Sequence, residues 1–180
     1  MVVMHQKLSL KDLNRLSVEE YKQVEKLPII IVLDNIRSMS NIGSIFRTSD
    51  AFKIESIFLC GITSQPPHRE IRKTALGATE SVTWKYFKNT MEAVQELRNK
   101  QYSIISIEQV ENSTMLQNFN TKKNQKIALV MGNEVNGVEQ SIIDISDDCV
   151  EIPQYGTKHS LNVSISTGLV IWHLFQKNYL

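Results

Sequence analysis

Apolar residues along this chain gather into short runs at 28–33, 56–60, 82–86, 102–107, 126–131 and 149–152. The runs are rich in isoleucine, valine and aromatic residues, and most lack strict apolar–polar alternation. That pattern predicts strands covered on both faces. Helices are predicted between and after them at about 42–52, 90–100, 137–144 and 161–177. Strand and helix in alternation predict an α/β fold, with a mostly parallel six-stranded sheet flanked by helices.

Ahead of the first run, residues 1–27 are polar, with Leu8, Leu13, Leu16 and Leu27 at scattered helical spacing. Ser17 and Glu20 form a capping-box signature, which predicts a short helix from near Val18. This stretch is too poor in apolar residues for a core of its own. The chain therefore divides into an N-terminal helical extension, 1–27, and one domain, 28–180. No repeat or low-complexity segment interrupts it, and 118–125 is the most loop-like stretch.

Composition adds limits. With 42% apolar and 22% charged residues in 180, a single core is expected. The net charge of +1 does not announce a nucleic-acid binder, so any RNA contact would rest on local patches. Two are available: His68, Arg69, Arg72 and Lys73, and, less prominent, Lys122, Lys123 and Lys126. Either patch is equally readable as solvated surface. Cys60 and Cys149 sit in apolar runs and are expected as buried free thiols. No His/Cys pair has ligand spacing, so no metal is expected. The first residues lack a signal-peptide pattern, and no stretch nears the roughly 20 apolar residues of a membrane span. A cytoplasmic protein is expected.

Three segments carry more glycine, asparagine and charge than a plain connection needs, and each lies beside the end of a predicted strand. Ligands in open α/β sheets bind at such ends. The first, 34–52, has Ser40 or Asn41 as a helix cap, and Gly43 and Arg47 on one helix face. Gly43 permits close approach of a ligand or another chain segment. The second, 131–138, has Gly132 and Gly137 flanking Asn133 and Glu134. No lysine–threonine pair follows, which disfavours triphosphate binding. The third, 152–169, opens a helix near Leu161, capped by Ser160, with Asn162, Ser164, Ser166, Thr167 and Gly168 suited to tight packing. Each segment taken alone also reads as an ordinary capped connection.

Taken together and in order, the segments resemble the SpoU family of the SPOUT methyltransferase superfamily. The residues that carry the resemblance are Asn35, Asn41-Ile-Gly43 and Arg47-Thr48; Met131-Gly-Asn-Glu134 and Gly137; and Ile152-Pro153, Gly156 and Ser160-Leu-Asn162. It covers roughly 28–178. Gln154 and Ser166 depart from the usual methionine and alanine. The resemblance implies a C-terminal deep trefoil knot and a homodimer with its active site at the subunit interface. It also implies an S-adenosyl-L-methionine-dependent RNA 2′-O-ribose methyltransferase. By similarity to shorter family members, the RNA would be tRNA, with rRNA as the alternative. The implied cofactor residues are Gly132, Asn133, Glu134, Gly137, Ile152, Pro153, Ser160, Leu161 and Asn162, with Ile107 and Met131 as neighbours.

By the same resemblance Arg47 meets the ribose hydroxyl, Asn41 positions Arg47 or the ribose, and Glu134 orients Arg47 or its own loop. Ser160 and Asn162 are expected near the transferred methyl or an RNA phosphate. Arg47 and the patch of His68, Arg69, Arg72 and Lys73 are the implied RNA contacts. Arginine is a poor base, so charge stabilisation is its physical default. His159 is the rival base and, with greater weight, a loop histidine at the edge of the site. His5 and His173 read as surface or packing residues, and Trp84 and Trp172 as core or interface anchors. Two other classes compete. One is a non-catalytic RNA-binding protein of the same fold. The other is a nucleotide-dependent oxidoreductase, which the missing glycine fingerprint after the first strand disfavours.

Overall fold

The computed structural model describes residues 6–9 and 12–180, so the expectation for His5 lies outside the described residues. At its centre is β1 (Leu27–Asp34), whose side chains sort by parity. Ile29, Ile31 and Leu33 join one buried cluster, and Ile30 and Val32 join the other. An apolar run without alternation thus feeds two cores at once, as expected for a strand covered on both faces. Burying each of these side chains is worth about 1.5–3 kcal/mol.

The remaining strands are β2 (Ile54–Cys60), β3 (Thr83–Phe87), β4 (Ser103–Ile107), β5 (Thr114–Met115), β6 (Ile127–Met131) and β7 (Asp148–Glu151). They form one sheet in the order β3-β2-β1-β6-β4-β7-β5, and every pairing is parallel. The sheet has seven strands, one more than the pattern predicts. The addition is β5, and two residues carry no periodicity for a sequence reading to find.

Helices cover both faces. α2 (Met39–Ala51), α3 (Arg69–Ala75), α4 (Ala78–Ser81) and α7 (Val163–Tyr179) lie over the first cluster. α5 (Thr90–Asn99) and α6 (Gln140–Ile143) lie over the second. α1 (Val18–Gln23) carries the expected capping box of Ser17 and Glu20. Its buried Tyr21 joins the first core, which anchors the extension to the body.

Three helix starts differ from the sequence reading. α2 begins earlier, because Ser38 rather than Ser40 or Asn41 caps it and accepts a hydrogen bond from the Asn41 amide. α7 begins later, because Asn162 rather than Ser160 caps it, its Oδ1 accepting from the Ser164 amide at 2.9 Å. α6 is four residues long, since a tight loop takes up the residues before it. Segment 66–78, whose conformation has no clear sequence signal, folds largely into α3, with His68 as cap: its Nδ1 accepts from the Glu70 amide at 3.2 Å.

The close approach expected at Gly43 is made by α3. A Cβ there would stand 2.1 Å from Thr74 Oγ1 and 2.3 Å from the Ile71 carbonyl oxygen. Thr74 Oγ1 donates to the Ser40 carbonyl at 2.9 Å, which pins α3 to the first turn of α2. Cys60 is buried and free, and burial pushes its thiol up to about 12. Cys149 is free but only half-buried, a correction to the expected buried pair. Trp84 is half-buried against the first core, whereas Trp172 is 45% exposed and meets Phe52 edge-on. His173 Nε2 lies 2.8 Å from the Phe119 carbonyl oxygen, in a packing role. Among the described residues, no helix is long and apolar enough to cross a membrane.

Candidate active site

The carboxyl ends of β6, β4 and β7 converge on one cleft, where parallel α/β sheets bind ligands. It encloses about 690 Å³ of space, its open mouth included. Four segments line it. The end of β4 contributes Ile107, followed by Glu108 and Gln109. The second motif contributes Met131, Gly132, Asn133, Glu134 and Gly137. The third contributes Ile152, Gln154, Ser160, Leu161 and Asn162, and the first helical turn of α7 adds Val163 and Ser166. Of the residues expected at a cofactor, only Pro153 falls outside the lining.

The second-motif loop is folded back on itself. Asn133 and Gly137 exchange backbone hydrogen bonds at 2.9 Å, and Gly137 adopts φ +70, which favours glycine. Asn133 Oδ1 accepts from the Val135 and Asn136 amides at 2.9 and 3.2 Å, while its Nδ2 donates to the Asn35 carbonyl at 2.6 Å. A Cβ on Gly132 would stand 2.2 Å from the Val138 nitrogen, so this turn closes only on glycine. Glu108 completes the brace: its Oε2 accepts from the Val138 amide at 2.9 Å.

Glu134 reaches away from its loop to the start of α2. Its two oxygens accept from the backbone amides of Arg37 (2.9 Å) and Ser38 (3.0 Å). Oε1 also accepts from Asn41 Nδ2 at 3.1 Å. Asn41 Oδ1 in turn accepts from Asn162 Nδ2 at 3.0 Å. One chain of polar contacts, Glu134–Asn41–Asn162, therefore joins all three sequence motifs. Partial burial pushes the Glu134 carboxyl up, but the amides of Arg37, Ser38 and Glu134 itself, with the Asn41 side chain, together hold the group below its ordinary 4.5.

A depressed folded-state value means that this contribution to stability is complete above about pH 4.5 and is lost as pH falls through the folded value. Denaturant titrations of the native chain and Glu134→Gln should differ by about 1 kcal/mol at neutral pH. That difference should shrink below pH 4.5. A gap that persists undiminished down to about pH 3 would assign the stabilisation elsewhere.

Arg47 lies outside the cleft lining, on the exposed face of α2, and makes no ion pair among the described residues. Arg69, Arg72 and Lys73 are exposed on α3, where Lys73 pairs with Glu70 at 2.8 Å. The Thr74–Ser40 contact sets this basic helix beside the start of α2. His159 is exposed and outside the lining, and its carbonyl accepts from Gln109 Nε2 at 2.7 Å. The sequence reading passed over Glu108, Gln109 and Glu151 in the lining. The strand-end rule that marked the other loops applies equally after β4, and would have found the first two.

The charge of the cleft is one-sided. Glu108, Glu134 and Glu151 line it, and among the described residues no lysine, arginine or histidine does. Such a lining repels phosphate and suits a ligand with net positive charge. No metal-binding group of three or more His, Cys, Asp or Glu side chains occurs among the described residues.

A parallel sheet with an acidic cleft at its carboxyl end, walled by the second and third glycine- and asparagine-bearing segments and tied to the first through Asn41, defines the class. The chain belongs to the SpoU rRNA Methylase family, whose model matches residues 28–172. It is 29% identical over 167 residues to the 23S rRNA (guanosine-2′-O-)-methyltransferase RlmB of Haemophilus ducreyi, covering 93% of this chain and 67% of that protein. For TrmH-family relatives in Staphylococcus aureus, at 26% identity, it covers 90% of this chain and 64% of theirs. The chain thus spans about two thirds of the length of these relatives. Among solved structures it resembles the A. aeolicus TrmH/SpoU tRNA modifying enzyme, with TM-score 0.78 and 24% identity over 89% of this chain and 80% of that one. It also resembles an AdoMet-bound rRNA methyltransferase from Sinorhizobium meliloti, with TM-score 0.77 and 25% identity over 90% and 61%.

Proposed function

We propose that this protein transfers a methyl group from S-adenosylmethionine to a ribose 2′-hydroxyl of RNA. The observation that carries the proposal is the acidic, cation-free cleft built from the family's second and third motifs. S-adenosylmethionine, when bound, supplies a methyl group on a positively charged sulfur, and its two remaining charges cancel. Glu108, Glu134 and Glu151 around the cleft favour that sulfonium. Backbone groups at Gly132, Ile152 and Leu161 would hold the polar edges of the ligand. The cleft's lack of cations also disfavours the dinucleotide of an oxidoreductase.

Arg47 is the residue we assign to the hydroxyl. As the hydroxyl oxygen attacks, it loses its proton to solvent, the new oxygen–carbon bond forms and the carbon–sulfur bond breaks. The guanidinium stabilises the negative charge developing on the oxygen and needs no change of its own protonation. Glu134, Asn41 and Asn162 act by holding α2 in register with the cleft, so that Arg47 is presented in one orientation. Arg69 and Arg72 supply phosphate contacts from α3, with Lys73 partly neutralised by Glu70.

A homodimer belongs to the same proposal. Leu161 lines the cleft, and from it Ile165, Leu169 and Trp172 continue along α7 as a stripe 39–56% exposed. A second copy on this stripe would bury it and place the active site at the interface. The knot implied by the resemblance is supported by chain order: segment 152–162 leaves β7, beyond β4, yet shares a cleft with the loop after β6. We take tRNA as the first candidate substrate, and rRNA as the second because of the name of the Haemophilus ducreyi relative. Methyl transfer into each RNA, read by nucleoside analysis, tests the proposal.

A further inference from the structure

The third-motif segment is lightly held. Residues 155–162 are all exposed, and Tyr155 is 97% exposed. Among the described residues, one hydrogen bond ties 153–161 to the rest of the chain: Gln109 Nε2 donates to the His159 carbonyl at 2.7 Å. Gln109 stands directly after Glu108, which grips the second-motif loop through the Val138 amide at 2.9 Å. Glu108 also fixes Gln109 itself, accepting from the Gln109 amide at 2.9 Å. The Glu108 amide is in turn bonded to the Val150 carbonyl at 3.1 Å, so the pair is anchored to β7.

Two consecutive residues therefore hold the two loops that face each other across the cleft, each by one side chain. We propose that Gln109 is a positioning residue: it latches segment 153–161 over the cleft and so sets affinity for S-adenosylmethionine. The inference rests on the cofactor reading above. A glutamine suits the task because its amide nitrogen donates to a carbonyl without adding charge. A lysine would donate too, but would bring a cation into a cleft lined by none among the described residues.

Gln109→Met is close in size and removes the donor without adding charge, which separates the latch from packing; Gln109→Ala removes both. Two readouts are used on the full chain. The first is trypsin cleavage after Lys158 in the absence of ligand, resolved by mass spectrometry. It should run about three- to tenfold faster in both variants, the factor that the loss of one hydrogen bond allows. The second is titration with S-adenosylmethionine, for which Kd should rise by a similar factor of about three to ten. In turnover the loss should fall on KM for the cofactor more than on kcat.

Cleavage and Kd both within about twofold of the native chain in Gln109→Met would overturn the inference. Faster cleavage with an unchanged Kd would overturn it as well, since the latch would then not serve the ligand. A native chain that binds no S-adenosylmethionine would remove the cofactor reading and this inference together, and that result is distinct from either of the others.

Discussion

Arg47→Ala should lower methyl transfer by at least about 10²-fold, the usual loss when a group that stabilises developing charge is deleted. Affinity for S-adenosylmethionine should stay within about twofold, as expected for a group that acts in the transition state alone. The first expectation follows from the role assigned to Arg47 at the hydroxyl, and the second from its place: it is exposed on α2 and lies outside the cleft lining. It is held in place indirectly, because α2 is tied at its start to Glu134 and through Asn41 to Asn162. Arg47→Lys keeps the charge but loses the planar fork, and should recover only part of the rate. Single-turnover transfer and cofactor titration on the same preparations make the check. A variant that retains more than about a tenth of the native rate would take Arg47 out of this role.

Gly132→Ala should act on the opposite half of the reaction. The added methyl group would meet the Val138 nitrogen at 2.2 Å and the Gly137 carbonyl carbon at 2.3 Å. Both are backbone atoms, so no side-chain rotation relieves the overlap. The loop cannot open freely either, since Glu108 and the Asn133–Gly137 pairing brace it. Overpacking of this kind costs about 1–3 kcal/mol, and here it distorts the cleft wall itself. Calorimetric titration should show Kd for S-adenosylmethionine raised by about 10²-fold, at the upper end of what such a shift in geometry produces. Thermal unfolding should show a lower midpoint by several degrees, as about 2–4 °C per kcal/mol implies. Native affinity in this variant would mean that the loop does not wall the ligand.

The central strands were legible because each supplies both faces of the sheet, and a continuous apolar run is what such a strand requires; the edge strand β3 buries only Phe87. Ile30 and Ile31 are equally apolar and enter different cores. The three motifs were legible because each breaks from apolar strand to glycine and asparagine within a few residues. Helix starts were less so. The run Ser38-Met-Ser-Asn41 offers three capping side chains in four positions, and only the folded geometry selects Ser38. The reading placed Asn41 at the site but gave it Arg47 or the ribose as a partner; the structure gives it Glu134 and Asn162, 93 and 121 residues away. Contacts of that sequence separation leave no trace in local pattern. The same holds for Glu108 and Gln109, whose partners Val138 and His159 lie on later loops. The conformation of 66–78 was not legible either, because α3 is short and its place depends on the gap left by Gly43.

The central claim is the reaction, and its most direct test is transfer of isotopically labelled methyl from S-adenosylmethionine into unmodified tRNA and rRNA, followed by digestion and identification of the labelled nucleoside. The account predicts label in a 2′-O-methylated nucleoside from one RNA, lost in Arg47→Ala. Label on a base, or no transfer from a chain that also fails to bind the cofactor, would contradict it.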